Sequence, residues 1–599
     1  MKKIVGKIKN YYREHGVAGV ALRTVEKLTG IRPGAISYEK WYRIHQPDLR
    51  ELERQRGEVF PAQPLFSILV PLFWTPENYL RELIASVQAQ TYAHWELCLS
   101  DGSGVGGELE EILSPILKAD SRIHYRRSQS SLGISENTNN AMDMAQGDFL
   151  VFADHDDLLA PDALYECARC IRNHPETDVI YTDEDKISMD GKKHFDPQLK
   201  PDFNPDLLRS MNYICHLFVV KRTLGTQVGE LNPEFDGAQD YDYVFRCVEK
   251  AKCIRHIPRV LYHWRCHEDS TAVNQESKKY AFEAGKRAIQ AHCDRINLPA
   301  KVSHGPYLGL YRTLYYVKGR PLVSVIIPNK DHTKDLERCI RAVEEKSTYR
   351  NVEYIIIENN SQDKETFAFY QELMQRNPKV KVVTYQGHFN YSSINNFGER
   401  SARGEYLLFL NNDTEMISED CLEEMLGICC RPEVGAVGAR LYYGDDTIQH
   451  AGVIVGLGGI AGHAFAGERG SATGYCRRII CTQDLSAVTA ACMMVKKRDF
   501  ERAGGFDEEL EVAFNDVDLC LKLRSMGLLV VYTPYAQLYH YESKSRGAED
   551  TPEKVERFHR EIALFEQKWP EILRNGDPYY NSNLTLKRQD FTLKRFEKE

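Results

Sequence analysis

Short apolar runs along this chain alternate with stretches in which apolar residues return every three or four positions, the signature of strands interleaved with helices in a parallel sheet. Phe66-Ser-Ile-Leu-Val-Pro71 predicts a strand, Glu77 to Gln90 a helix, and Trp95-Glu-Leu-Cys-Leu-Ser-Asp101 a second strand ending in an acidic turn. Phe149-Leu-Val-Phe152, entered from Gly147 and Asp148, predicts a buried strand that stops abruptly at Ala153-Asp154-His155-Asp156-Asp157. Carboxylates just past the carboxyl end of such a strand sit where open α/β sheets bind ligands. Their mutual repulsion calls for a cation, and a hard divalent ion on one or two carboxylates plus substrate phosphates is how Mg²⁺ or Mn²⁺ usually binds. The competing reading is a helix N-terminus with acidic caps, since Pro161 and Asp162 follow.

The same order of elements then returns. Val323-Ser-Val-Ile-Ile-Pro328 repeats the first strand, Lys334 to Glu345 the helix, and Tyr354-Ile-Ile-Ile-Glu-Asn359 the second strand. Asn139-x-Ala-x-x-x-Ala-x-Gly147 is matched by Asn396-x-Gly-x-x-x-Ala-x-Gly404, and Phe149 to Asp156 by Tyr406-Leu-Leu-Phe-Leu-Asn411-Asn-Asp413, always at an offset of 257. Gly237-Ala-Gln-Asp240-Tyr-Asp242, with Leu261-Tyr-His263 beyond it, is matched by Asn515-Asp516-Val-Asp518 and Leu538-Tyr-His540. First Asp to His spans 23 residues in one copy and 24 in the other. Asp156 to Asp240 spans 84 residues and Asp413 to Asp516 spans 103, so the second copy carries 19 more, assigned to a glycine-rich loop over the site around Gly452 to Gly474. Two homologous domains in tandem account for this: residues 61–299 and 322–570, preceded by a helical arm (1–60), joined by a packed aromatic connector (300–321, with Tyr307, Tyr311, Tyr315 and Tyr316) and followed by a tail (571–599).

Four separated features occur in one order in both copies: the strand ending in Pro, the acidic turn, the D-x-D motif, and an acidic pair followed by a His. In these the chain resembles the family 2 glycosyltransferases, over roughly Phe66 to Arg295 and Leu322 to Trp569. The resemblance implies an α/β fold of two tandem GT-A domains, the Rossmann-like fold of nucleotide-diphospho-sugar transferases, with an N-terminal helical arm. The tandem arrangement, the arm and the tail sequence Asp577-Pro-Tyr-Tyr-Asn581 are similar to bacterial enzymes that assemble O-antigen, rhamnan or capsular chains. By that resemblance Asp154, Asp156, His263, Asp413 and His540 are expected at the metal or the diphosphate. Pro71, Asp101, Asn139, Asp154, Pro328, Asn359, Asn396 and Asn411 are expected at the nucleotide-sugar, and Asp240 and Asp516 are expected to be the bases of inverting transfer. Such a base takes the acceptor hydroxyl proton, while a metal neutralises the departing diphosphate. Asp242 and Asp518 are the alternative acids, or both pairs cap a helix; His263 and His540 read otherwise as polar-rim histidines. The chain departs from the family at Gln239, where an acid usually precedes the base, at Asn359 in place of the nucleobase Asp, and at Asn411 in place of the first acid of D-x-D.

Composition narrows the setting. A length of 599 residues implies two to four domains, and 42% hydrophobic with 27% charged residues is ordinary for soluble globular chains. A net charge of -9 gives no sign of a nucleic-acid partner. No run of 18 apolar residues and no apolar signal core is present, so the expected location is cytoplasmic, or peripheral on the inner face of the plasma membrane. Up to Arg32, eight Lys or Arg face only Glu14 and Glu26, a local net of +6, with Ile4, Ile8, Val17, Ala21, Val25 and Leu28 at helical spacing. That segment is read either as an arm for an anionic membrane surface or as one packed on the body. The 16 cysteines recur at no metal-site spacing and are read as reduced core thiols.

The expected function is thus a bifunctional inverting glycosyltransferase. It would use UDP- or dTDP-sugars and Mn²⁺ or Mg²⁺ to extend a surface glycan carried on a lipid such as a polyprenyl diphosphate. The alternative keeps one active domain, the first, with the second as a glycan-binding module; a nucleotidyltransferase is the remoter reading.

Overall fold

The computed structural model describes residues 36–106, 108–266, 279–541 and 551–595, so the basic segment up to Arg32 lies outside the described residues. Strands β1 (Phe66–Leu72), β2 (Trp95–Asp101), β3 (Ile123–Arg127), β4 (Phe149–Phe152), β5 (Leu158–Leu159), β6 (Val179–Ile187), β7 (His194–Gln198), β8 (Phe218–Lys221) and β9 (Ile254–Arg265) form one mixed sheet. Their order is β3-β2-β1-β4-β8-β6-β9-β5, with β7 paired to β6. β10 (Ala300–His304) and β11 (Tyr311–Tyr315) are a hairpin. The second sheet contains β12 (Val323–Asn329), β13 (Val352–Glu358), β14 (Val380–Thr384), β15 (Tyr406–Leu410), β16 (Thr414–Met416), β17 (Val434–Tyr442), β18 (Ile448–His450), β21 (Gln483–Asp484), β22 (Cys492–Lys496) and β23 (Leu529–His540). β19 (Val453–Val455) and β20 (Ala461–His463) form a separate hairpin. The second order, β14-β13-β12-β15-β22-β17-β23-β16, is the first one repeated strand for strand.

The central strands are buried almost throughout because helices cover both faces. β1 is buried along its length, and the helix Glu77–Gln88 lays Leu80, Leu83, Ile84 and Val87 against the sheet at helical spacing. The repeat reaches individual hydrogen bonds. Ser67 Oγ donates to Glu96 and accepts from Gly147 N–H; Ser324 Oγ donates to Glu353 and accepts from Gly404 N–H. A Cβ on Gly147 would lie 2.5 Å from Ser67 Oγ, and one on Gly404 2.6 Å from Leu322 O, so each strand that leads to the candidate site must start from glycine.

The charged stretch Ser37 to Arg56 is two helices, Tyr38–His45 and Leu49–Gly57. Pro47 cannot continue the first, and Asp48 caps the second by accepting from Glu51 N–H at 2.8 Å. Trp41 and Tyr42 of the first are buried, Tyr42 against His194 and His263 of the first half. The connector is folded, with Tyr311 and Tyr315 buried and Tyr307 and Tyr316 exposed. The halves are clamped by a buried pair in which Arg431 donates to both oxygens of Asp206 at 2.5 and 2.8 Å, under Tyr315. The glycine-rich stretch Gly452 to Gly474 is not a free loop. It starts as the β19–β20 hairpin and is walled in by the tail, where Phe591 stacks on Phe465 at 4.4 Å and Leu586 O accepts from Gly458 N–H. The tail also crosses to the first half: Asn581 Nδ2 donates to both oxygens of buried Asp183 at 2.9 and 3.1 Å. Among the described residues no helix is long and apolar enough to cross a membrane.

Candidate active sites

In the first half β4 runs antiparallel to β8 with Phe152 opposite Phe218. Carried two residues past both strand ends, that register sets Asp154 opposite His216, and the His216 Nε2 lies 3.7 Å from Asp154 Oδ2. His216 is held by stacking on Tyr262 at 4.5 Å, by donation of its N–H to Glu184 at 3.0 Å and by its carbonyl accepting from Lys200 Nζ; its buried Nδ1 has no partner. The helix Gln239–Val248 brings Asp240 to the same small cavity of about 50 Å³, lined also by Pro71, Thr138, Asp154 and His216. Asn212 Nδ2 donates to Asp240 Oδ2 at 2.9 Å. Burial pushes the Asp240 carboxyl above its ordinary range against the opposing pull of His216.

The neighbouring acids have other tasks. Asp242, two residues on, is buried and accepts from Arg246 Nε at 2.8 Å and Arg295 Nη1 at 3.2 Å. Asp157 is buried, with Tyr262 OH donating to one oxygen at 2.6 Å and Arg265 N–H to the other at 2.7 Å; burial, then Asp156 and Asp154, push its carboxyl well up. Asp154 N–H in turn donates to the Tyr262 hydroxyl oxygen. Asp156 is half-buried on the same turn and its carbonyl accepts from Arg265 Nε. Asp101 is buried at the end of β2, accepting from Ser103 N–H at 3.0 Å and Tyr125 OH at 2.9 Å.

In the second half Asn411 N–H donates to Ala491 O at 3.0 Å, and Asp413 Oδ1 lies 3.2 Å from His540 Nε2. Asn411 Nδ2 donates to that Nε2 at 3.1 Å, while His540 Nδ1 donates to Gln449 Oε1 at 2.7 Å. These partners assign the imidazole proton to Nδ1, and the Nε2 lone pair accepts from Asn411 Nδ2 beside the Asp413 carboxylate. Asp516 accepts from Ala490 N–H at 3.1 Å, beside the residue that holds Asn411. Asp518 is buried and accepts from Trp569 Nε1 at 2.9 Å and Lys568 at 2.6 Å. Asn359 Nδ2 donates to the Tyr385 and Gly387 carbonyls, and its buried Oδ1 has no partner. Pro328 is half-buried near the end of β12.

Three expected site residues are occupied elsewhere. Asn139 and Asn396, expected at the nucleotide-sugar, are clasps: each amide both donates to and accepts from the backbone of one residue, Leu231 and Phe506 respectively, at 2.8–2.9 Å. Their shared employment holds the loop before each late helix. His263, expected at the metal, lies away from the acidic turn, with Nδ1 on Asp185 at 2.6 Å and Nε2 on the Tyr42 hydroxyl at 2.9 Å; with Asp185 and His194 it forms a separate group of ligand-type atoms within 4.8 Å of one another. The cause is register. β9 sets His263 opposite Leu158, whereas β23 sets His540 opposite Thr414, the counterpart of Asp157. A slip of one residue turns a strand's side chains to the other face, so Trp264, not His263, takes the place of His540.

Sequence reasoning missed His216, Tyr262 and Gln449, and counted Asp157 only as one of the clustered carboxylates. The single available signal was His216, a polar residue just before an apolar strand, where the second half has Ala491.

Comparison with known proteins matches residues 67–224 and 324–473 to the family described as Glycosyl transferase family 2. An uncharacterized protein (y4gI) of Sinorhizobium fredii is 43% identical over 536 residues, 88% of this chain and 58% of that protein. The O-antigen biosynthesis protein RfbC of Myxococcus xanthus is 37% identical over 567 residues, 94% of this chain and 44% of that protein. The chain therefore spans about half the length of these relatives. Among solved structures, a mannosyltransferase of Pyrobaculum calidifontis in complex with GDP-Man and Mn²⁺ aligns with 49% of this chain and 73% of its own, at 16% identity and a TM-score of 0.31.

Proposed function

Because the chain belongs to glycosyl transferase family 2, we propose that its two halves are two inverting, metal-assisted transferase sites. Each moves a sugar from a nucleotide-diphospho-sugar onto a growing bacterial surface polysaccharide. The observation that carries this reading is duplicated geometry. In each half the first Asp of the late pair, Asp240 or Asp516, reaches the strand-end acidic turn or the backbone beside it, while the second is held by cations on another side.

In the first half Asn212 engages Asp240 Oδ2 and leaves Oδ1 to accept the acceptor hydroxyl proton, and burial keeps that carboxylate basic. The acidic turns suit a divalent ion: Asp154 and Asp156 in one half, and Asp413 with the Nε2 lone pair of His540 in the other, are oxygen and nitrogen donors of the right chemistry. A bound Mn²⁺ or Mg²⁺ would supply Lewis acidity to the departing diphosphate. UDP- or dTDP-sugars as donors and a polyprenyl-diphosphate-linked acceptor complete the reading. Two tethered sites make sense if the product of one is the acceptor of the other, since tethering raises effective concentration.

The test is a donor screen on the full chain with Mn²⁺ or Mg²⁺, following nucleoside diphosphate release for the wild type, Asp156→Ala and Asp413→Ala. Two donors, each lost in a different variant, are expected. One donor lost only with Asp156→Ala would favour the second reading, a single active domain fused to a glycan-binding one, to which Asn359 and Asn411 lend support. The basic arm, residues 1–32, is proposed to add affinity for anionic membranes; its removal should lower liposome association at low salt, and unchanged association would assign it to packing.

A further inference from the structure

With His263 bound to Asp185 and Tyr42, and Trp264 standing where the other half has His540, β9 brings no imidazole to the acidic turn of the first half. An imidazole is nevertheless there, from another strand. We propose that His216 is the nitrogen ligand of the cation and diphosphate in the first site, so that the two halves recruit one ligand chemistry from different strands. This rests on the reading of that site as metal-assisted.

Three observations support it. The Nε2 to Oδ2 separation of 3.7 Å is too long for a hydrogen bond, but it suits two ligands of one ion. Bonds of about 2.0–2.2 Å place cis to trans ligands roughly 3–4.3 Å apart; the second site shows 3.2 Å between Asp413 and His540. Neither ring nitrogen of His216 is claimed by a protein hydrogen bond, and the buried Nδ1 is orphaned, whereas both nitrogens of His263 are taken.

The distribution is also complementary. Antiparallel pairing puts Ala491 opposite Asn411 in the second half, where β23 supplies His540, and puts His216 opposite Asp154 in the first half, where β9 supplies Trp264. Each half thus brings one imidazole to its acidic turn from a neighbouring strand, beside His155 of the first turn itself, whose Nδ1 lies 3.3 Å from the Pro71 carbonyl. Asp157, close to Asp154 and His216, accepts one hydrogen bond on each oxygen, from Tyr262 and Arg265, which fixes its carboxylate beside the pair.

The experiment is Mn²⁺ titration by electron paramagnetic resonance on the full chain, with Asp413→Ala silencing the second site, in separate runs with UDP, dTDP and GDP as probes. His216→Ala should weaken nucleotide-dependent Mn²⁺ binding by at least about tenfold, while His263→Gln should leave it within about twofold. Ala491 shows that alanine is compatible with this place in the sheet; circular dichroism checks the fold, and His216→Asn provides a second, better-filling variant expected to bind weakly too. Unaltered Mn²⁺ binding in both His216 variants, or its loss in His263→Gln instead, overturns the assignment while leaving the site metal-assisted. A parent that shows no nucleotide-dependent Mn²⁺ binding sensitive to Asp154→Ala overturns the metal reading of the first site, and the assignment with it.

Discussion

The two halves agree where strands are pinned from both sides and differ where they are not. β1 and β12 share the same parallel neighbours in the same register, down to the Ser-Glu-Gly clasp beside each D-x-D strand. The outermost pairs, β5 with β9 and β16 with β23, are two and three residues long and held on one side only, and there the register slips by one. A central strand cannot slip without turning its apolar set to the wrong face, whereas a short edge pair has few side chains at stake. Duplicated sheets therefore keep their carboxylates in place more faithfully than their edge histidines.

The largest effect that would break the comparison is chemical. Asp240→Asn and Asp516→Asn should each remove one transfer by about 10²- to 10⁴-fold and spare the other, read by product linkage analysis; loss of the same linkage in both would leave one catalytic site. The next separates each Asp from its neighbour. Asp242→Ala and Asp518→Ala remove buried carboxylates from partly exposed cations, so each should cost about 2 kcal/mol in urea unfolding, with turnover per folded molecule largely kept. Turnover lost at full stability would move the base to the second Asp. Gly147→Ala and Gly404→Ala sharpen the likeness: both press a Cβ into the same Ser and Leu atoms, and each should cost about 2 kcal/mol. A cost in one half only would show that the clasp is not equivalent.

The smallest effect is pH. A raised Asp240 carboxyl stays protonated to higher pH, and only its ionised form accepts a proton, so transfer by the first site falls on acidification while still above the usual carboxylate range. The profile is measured in an Asp516→Asn background; an acid limb at about 3.9, the free carboxylate value, would contradict the burial argument.

Much of this was legible in the chain. Apolar runs and their offset of 257 named both sheets and placed Asp154 at a strand end, and the structure brings Asp240 into its cavity. Register was not legible: a period of two marks a strand but not which neighbour faces which, so Leu-Tyr-His in both copies read as equivalent though one His faces Asp185 and the other Asp413. His216 was hidden because its proximity to Asp154 follows from the antiparallel pairing of β4 and β8, a long-range fact that no local pattern carries. Asn139 and Asn396 shared a motif, and the motif recorded a shared clasp.

Asp183 closes its shell with the Lys200 N–H, His256 and Asn581, and the last of these lies 398 residues further along the chain. At 5–20 residues per second on a ribosome, that interval lasts about 20–80 s. During synthesis the first half waits that long for one of the donors to this carboxylate, so a chain stalled before residue 581 lacks the Asn581 clasp that joins its first half to its tail.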